Sequence, residues 1–417
     1  MDQHSTPLRI IPPERRQPGV PARVRRWALP PAIERGPGET IDRIGILSEH
    51  GDAEALLLWR LVRDVELWAA TPPKSRGELF DPAAPASRER RFRDSTFPTD
   101  VRVHLRRLNR CLASAGGEAQ VGEAVSVACA GVAVWAREIG ARETAVGFAQ
   151  AAALVSPEAQ YALLTGRCAA ELGQAARAAT WFSRAVGLAR VGRDWRNYTA
   201  ALVALGALAE GADEPARARR LYLRALRSTR RRRQLPGERA RAAHALFRLA
   251  RDAGDVAAAN RFAAIATRAV LKADPGAGVL ALTLAEFWTR RGEAGRALRL
   301  LDHLDALDGV PAGARLDVAV LRIGAAAAAG SVVTAKRAWI HAWELAAAVG
   351  LSSRNRADVL LQLAKCAVEL REPGWIAQAG RAALVHAVAE DYPRVHAELL
   401  RIADGSVDFG LPLEGAA

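Results

Sequence analysis

The sequence predicts an all-α chain: a solenoid of about six or seven helical hairpins behind a helical N-terminal region. Three observations predict it. Small residues recur at Ala145, Ala178, Ala218, Ala259, Ala297 and Ala335, in steps of 33, 40, 41, 38 and 38 residues. A glycine stands five residues before that position in five of the six units, at Gly140, Gly173, Gly254, Gly292 and Gly330, where a turn between helices benefits from positive φ. Half of the residues are apolar, yet only 6% are aromatic and alanine is abundant, a balance that favours closely packed helices over a thick sandwich core. A period of this length marks an array whose units touch only their neighbours, so 417 residues do not translate into a count of globular domains.

Taken in order, residues 1–39 carry Pro7, Pro12, Pro13, Pro18, Pro21, Pro30, Pro31 and Pro37 with Arg15, Arg16, Arg23, Arg25 and Arg26. Proline at that density denies a helix its backbone donors and predicts an extended, mostly disordered basic arm, serving as a spacer or as a docking arm for a partner or polyanion. From Thr40 apolar residues follow a helical spacing through Ile41, Ile44, Leu47, Leu58, Leu61, Val62, Val65 and Trp68, until Thr71-Pro72-Pro73 stops it. Residues 74–98 read as irregular, and a helix resumes through Val101, Leu105, Leu108 and Leu112. A DNA-reading helix-turn-helix would need a compact three-helix unit, whereas Gly51 is followed by one long helix crowded with Leu and Trp. Residues 40–116 thus form the N-terminal region and 117–403 the array. A seventh unit falls near Ala377–Ala379, and residues 404–417 form a capping or disordered tail.

Within the array, residues 157–191 and 195–233 share one spacing. Gly166 is followed by Ala178, Phe182 and Ala185, and Gly206 by Ala218, Tyr222 and Ala225. This pattern resembles the tetratricopeptide repeat, in which small residues let two antiparallel helices approach and an aromatic fills the gap to the next repeat. Elsewhere the first-helix glycine is replaced by Ala133, Phe247, Ala285 and Ile323, and the aromatic by Ala149, Ala263 and Leu301, returning as Trp339. The resemblance implies a right-handed solenoid that binds rather than catalyses, with an extended or helical peptide held by first-helix side chains in a concave groove. Those positions are Gln160, Arg167 and Glu171, then Ala200, Val203 and Ala207, then Arg241, His244, Arg248 and Arg251, then Glu286 and Arg290. The Arg241 to Arg251 set shares one helix face and reads either as solvent-exposed charge or as a binding surface. The Lys/Asn clamp of chaperone-binding relatives is absent at the matching positions, which argues against a chaperone adaptor.

The net charge is +14 and the pI near 10.7, which invites a polyanion. Only four of the 59 basic residues are lysine, as the codon bias of a GC-rich bacterial genome would produce, so basicity alone is weak evidence. Its sharpest feature is local. Arg217, Arg220, Arg224, Arg227 and Arg231 fall in one arc of roughly 80°, away from Ala218, Leu221, Tyr222 and Ala225. This ridge reads as a solvated helix face, or as a site for phosphates or an acidic partner. Without interleaved exposed aromatics, any nucleic-acid contact is expected to be non-specific and salt-sensitive.

Catalytic signals are poor. The eight histidines are scattered, with no H-E-x-x-H, G-x-S-x-G or G-x-x-x-x-G-K-[ST], so no catalytic residue, cofactor or metal is expected. Cys111, Cys129, Cys168 and Cys366 are too widely spaced for a metal set and read as buried thiols in a reducing compartment. No signal peptide or membrane-length apolar run is evident, and a cytoplasmic location is expected. The preferred reading is a protein-interaction scaffold whose groove takes a peptide or partner helix rich in carboxylates. The other is a regulatory protein that touches nucleic acid through its basic patches.

Overall fold

The computed structural model describes residues 44–81, 83–113, 119–230, 232, 234–273, 278–307 and 310–403. The expected N-terminal arm, the tail and Arg231 lie outside them. Among the described residues every regular element is helical. The chain divides into two compact units, residues 1–232 and 233–417.

In the first unit, α1 (Ile44–Glu49), α2 (Asp52–Ala70), α3 (Ala84–Asp94) and α4 (Thr99–Ala113) precede three hairpins. These are α5 (Ala119–Glu138) with α6 (Arg142–Val155), α7 (Ala159–Glu171) with α8 (Ala175–Val191), and α9 (Trp195–Gly211) with α10 (Pro215–Ser228). The second unit pairs α11 (Pro236–Asp252) with α12 (Val256–Val270), α13 (Gly278–Arg290) with α14 (Ala294–Asp305), α15 (Ala312–Ala328) with α16 (Val332–Ala348), and α17 (Ser353–Glu369) with α18 (Pro373–Ala389). A last helix, α19 (Pro393–Ala403), packs on α17 and α18 and closes the core with Val395 and Leu399. The expected all-α series of hairpins is present, seventh unit included.

Each hairpin turns on one left-handed residue. The five glycines named above have φ between 70° and 84°, and Asp213 (57°) and Arg371 (56°) occupy the remaining two turns. The next amide reaches back five residues to an orphan helix carbonyl, as in Gln174 N–H to Ala169 O (2.9 Å), Glu214 N–H to Ala209 O (2.8 Å) and Glu372 N–H to Ala367 O (3.1 Å). This satisfies the end of the first helix while reversing the chain.

The spacing of 16 residues also has a steric cause. A Cβ built on Gly166 would lie 2.5 Å from Phe182 Cδ1, and one on Gly206 2.3 Å from Tyr222 Cε1. The two rings occupy space that any first-helix side chain would fill. Trp339 departs from this pattern beside Ile323. Its ring lies nearly parallel between Trp343 (5.5 Å) and Trp375 (4.4 Å), and its indole N–H donates to Leu363 O.

The N-terminal helices dock on the first hairpin: α1 and α2 pack on α6, and α4 packs on α5. Glu49, the last residue of α1, caps α6 from outside. Its carboxylate accepts from Glu143 N–H (2.7 Å), Thr144 N–H (2.9 Å) and Thr144 Oγ1 (2.8 Å). Thr144 is fully buried, so its backbone N–H has no replacement in solvent, although its hydroxyl also meets His50 Nε2 at 2.9 Å. We expect Glu49→Ala to lower the unfolding free energy by about 2 kcal/mol, read from urea midpoints at unchanged m-value; a shift under a few tenths would mean the cap is incidental.

Residues 74–98, expected to be irregular, instead hold a 3₁₀ turn at Pro73–Glu78 and the helix α3. Pro82 and Pro85 look like breakers, but Pro85 sits in the first turn of α3, where its missing N–H costs nothing. Tertiary contacts then hold the helix. Phe92 is fully buried, Arg88 pairs with the buried Asp64 of α2, and Asn109 of α4 donates to Pro85 O (2.9 Å).

Candidate functional site

The first helices of successive hairpins lie side by side within each unit, and the expected site residues sort onto their outward faces. In the first unit Gln160 and Arg167 of α7 are exposed, with Gln160 donating to Glu158 (2.9 Å). Apolar side chains lie on these faces too: Ala200, Val203 and Ala207 were expected from the sequence, whereas Val127, Val134 and Leu164 were not. Val127 and Val134 of α5, seven residues apart on one face, are 38% and 41% exposed. Leu164 of α7 and Ala200 and Val203 of α9 are half-buried, and Ala207 is exposed. Arg137 of α5 clamps Glu171 of α7 through two charge-assisted bonds, Nε to Oε2 at 2.8 Å and Nη2 to Oε1 at 2.5 Å. That hydrogen bonding holds Glu171 below the usual carboxylate range and raises Arg137 above its own.

In the second unit Arg241 and Arg251 of α11 and Arg290 of α13 are exposed, and Arg248 is half-buried. Their charges are partly answered from their own helices. Arg241 reaches the buried Glu238 (2.9 Å), Arg251 reaches Asp252 (2.9 Å) and Arg290 reaches Glu286 (2.6 Å).

His244 is the exception to the expected set. It is buried, with Nε2 2.6 Å from Thr283 Oγ1 of α13, and Thr283 donates its own proton to Leu280 O. His244 therefore carries its proton on Nε2 and bridges two first helices instead of facing a ligand. Burial, followed by the charges of Arg248 and Arg251, pushes its pKa down to about 4. The imidazole is a buried neutral group close enough to Arg248 and Arg251 to feel their charge.

The ridge occupies α10, with Arg217, Arg220, Arg224 and Arg227 all exposed. Arg217 pairs with Glu214 (2.8 Å). Arg224 donates through Nε to Tyr198 Oη (2.7 Å), with its guanidinium 5.5 Å from the Tyr198 ring centre. Arg232 lies 3.9 Å over the Trp195 ring and bonds Ser228 O.

Other chemistry finds little support. A cavity of about 260 Å³ between α14, α15 and α16 is lined by Asp305, Arg315, Arg322 and His341, but Arg322 is already held by Asp302 and Asp305, both at 2.6 Å. The Cys168 and Cys366 thiols are pushed up to about 12 by burial, which makes them inert at neutral pH. Among the described residues no three His, Cys, Asp or Glu side chains are grouped to hold a metal, and no helix is long and apolar enough to cross a membrane.

No family model and no curated protein sequence matches the chain. Among solved structures it is similar to yeast Tom70, at 12% identity over 92% of this chain and 81% of that one, with a TM-score of 0.44. It is also similar to a human IFIT1 dimer with PPP-AAAA, at 12% identity over 86% and 80%, TM-score 0.43. A Rap protein complexed with competence and sporulation factor aligns at 10% identity over 86% and 99%, TM-score 0.38. At such values the weight rests on the chain's own geometry: glycines closed by Phe182 and Tyr222, and a left-handed turn in every hairpin. By that geometry each unit is a series of tetratricopeptide-like helical hairpins.

Proposed function

We propose that this chain is a non-enzymatic interaction scaffold whose first-helix faces hold a peptide or partner helix. The observation that carries the reading is the apolar set on α5, α7 and α9, the exposed Val127, Val134 and Ala207 with the half-buried Leu164 and Val203, on the same helices as Arg167 and the fixed Arg137–Glu171 pair. Small apolar side chains there exclude water from an incoming helix, and the bordering charges set its register. In the second unit Arg241, Arg248, Arg251 and Arg290 form the cationic counterpart, which suits a partner bearing carboxylates.

We take the location to be cytoplasmic, and the test is capture from the native host lysate with nuclease treatment and washes at low and moderate salt. A discrete protein should survive both. Arg241→Glu with Arg248→Glu, and separately Val134→Arg, should each cut its recovery at least about tenfold with helicity unchanged. Equal recovery by both variants removes the first-helix faces from the account.

A further inference from the structure

We infer that the α10 ridge is a second, independent binding surface, and that its ligand is the phosphate backbone of a nucleic-acid duplex taken without regard to sequence. The inference does not rest on the first-helix faces. Codon bias would scatter arginine evenly, but residues 215–235 hold nine arginines and no acidic residue, in a chain whose net charge is +14. That short segment of the sequence alone carries nine positive charges against the chain's net +14.

The structure shows how little of that charge is neutralised. Of Arg217, Arg219, Arg220, Arg224, Arg227, Arg230 and Arg232, only Arg217 has a carboxylate within ion-pair reach among the described residues. In the second unit the exposed Arg241, Arg290 and Arg394 do meet one. Arg224 and Arg232 are instead braced by neutral groups, the Tyr198 hydroxyl and the Trp195 ring. That bracing fixes the guanidinium groups without cancelling them, so less side-chain freedom is lost on binding.

Surface composition separates the classes of polyanion. The exposed positions of α10 are Pro215, Ala216, Arg217, Arg219, Arg220, Arg224 and Arg227, with no large apolar side chain. A protein interface would be expected to bring an apolar core, whereas phosphate contacts need only cations and hydrogen-bond donors. Single strands would want free aromatic faces for stacking. Here Tyr198 is buried and Trp195 is already covered by Arg232. Steps of three and four residues from Arg217 to Arg227 set out four guanidinium groups over about 15 Å, a reach suited to several successive phosphates.

The experiment is fluorescence anisotropy with the full chain and a mixed-sequence 25-base-pair duplex, titrated at 50 to 300 mM salt. Wild type should bind, with affinity falling steeply and linearly on log–log axes. Arg219→Glu/Arg220→Glu/Arg227→Glu should weaken binding at least about 100-fold at 100 mM salt and flatten the slope by about 2.7, the loss of three phosphate contacts. The matching triple glutamine variant should show the same flattened slope with a smaller loss, and circular dichroism should show both folded. Three results overturn the inference: no duplex binding at 50 mM salt, an unchanged slope in both variants, or displacement of duplex by poly-glutamate at equal charge concentration. The last would hand the ridge to an acidic protein.

Discussion

Replacing Gly206 by alanine should destabilise the first unit by about 3 kcal/mol, although alanine is the better helix former by about 1 kcal/mol. The added methyl would sit 2.3 Å from Tyr222 Cε1 and 2.8 Å from Cζ, so the buried ring must leave its place. Leaving also breaks the 2.7 Å bond from Tyr222 Oη to Glu210 Oε2. Overpacking of this kind costs on the order of 1–3 kcal/mol, and the lost hydrogen bond brings the total to the upper end. Two comparisons isolate the cause. Gly211→Ala, at the end of the same helix, meets nothing within 4 Å and should be neutral or slightly stabilising. Gly206→Ala combined with Tyr222→Leu should be less destabilised than the sum of the single changes by more than about 1 kcal/mol. Strict additivity in chemical denaturation would show that the ring and the glycine do not share the space.

The second large effect is a dependence on pH centred on His244. An ordinary histidine has a pKa near 6.5, and the folded value is pushed down to about 4 by burial and by the neighbouring Arg248 and Arg251. Below pH 6.5 the unfolded chain binds a proton that the folded chain refuses, so the native state loses stability as pH falls. The loss begins near pH 6.5, grows to about 3 kcal/mol near pH 4, and is absent above pH 7. His244→Gln removes the titration while keeping a donor for Thr283. Between pH 7.5 and 4.5 its unfolding free energy should therefore fall less than that of wild type by about 2–3 kcal/mol. Parallel pH profiles for the two proteins would mean that His244 does not report the burial described.

Much of the architecture was legible because helix crossings leave volume marks. Gly166 with Phe182 and Gly206 with Tyr222 declare a close approach, and the five turn glycines declare left-handed residues. Asp213 and Arg371 adopt the same conformation, but no residue type announces it, so those two turns could be found only by phase. Helix α3 was invisible for a different reason. Its stability comes from Asp64, Asn109 and the burial of Phe92, partners that no local pattern around Pro82 and Pro85 reveals. The candidate surfaces were half legible. Arg241, Arg251 and Arg290 are exposed as their helical spacing suggested, whereas His244 on the same face turns inward to hydrogen-bond with Thr283 of the next hairpin. The strip of Val127 and Val134 escaped notice because exposed valine and buried valine look alike in a sequence.

The exchange of sizes at the helix crossings has a consequence for assembly. A series of near-identical hairpins risks annealing out of frame, with a first helix seated against the wrong second helix. In the second unit the corresponding buried pairs are Phe247 with Ala263 and Ala285 with Leu301, large-small followed by small-large. A slip that set α13 against α12 would leave Ala285 facing Ala263 over a void, and one that set α11 against α14 would force Phe247 onto Leu301. These two hairpins thus each carry a key that fits its own lock, and the irregularity that blurs the repeat there to the eye disfavours exchange between them as the chain folds.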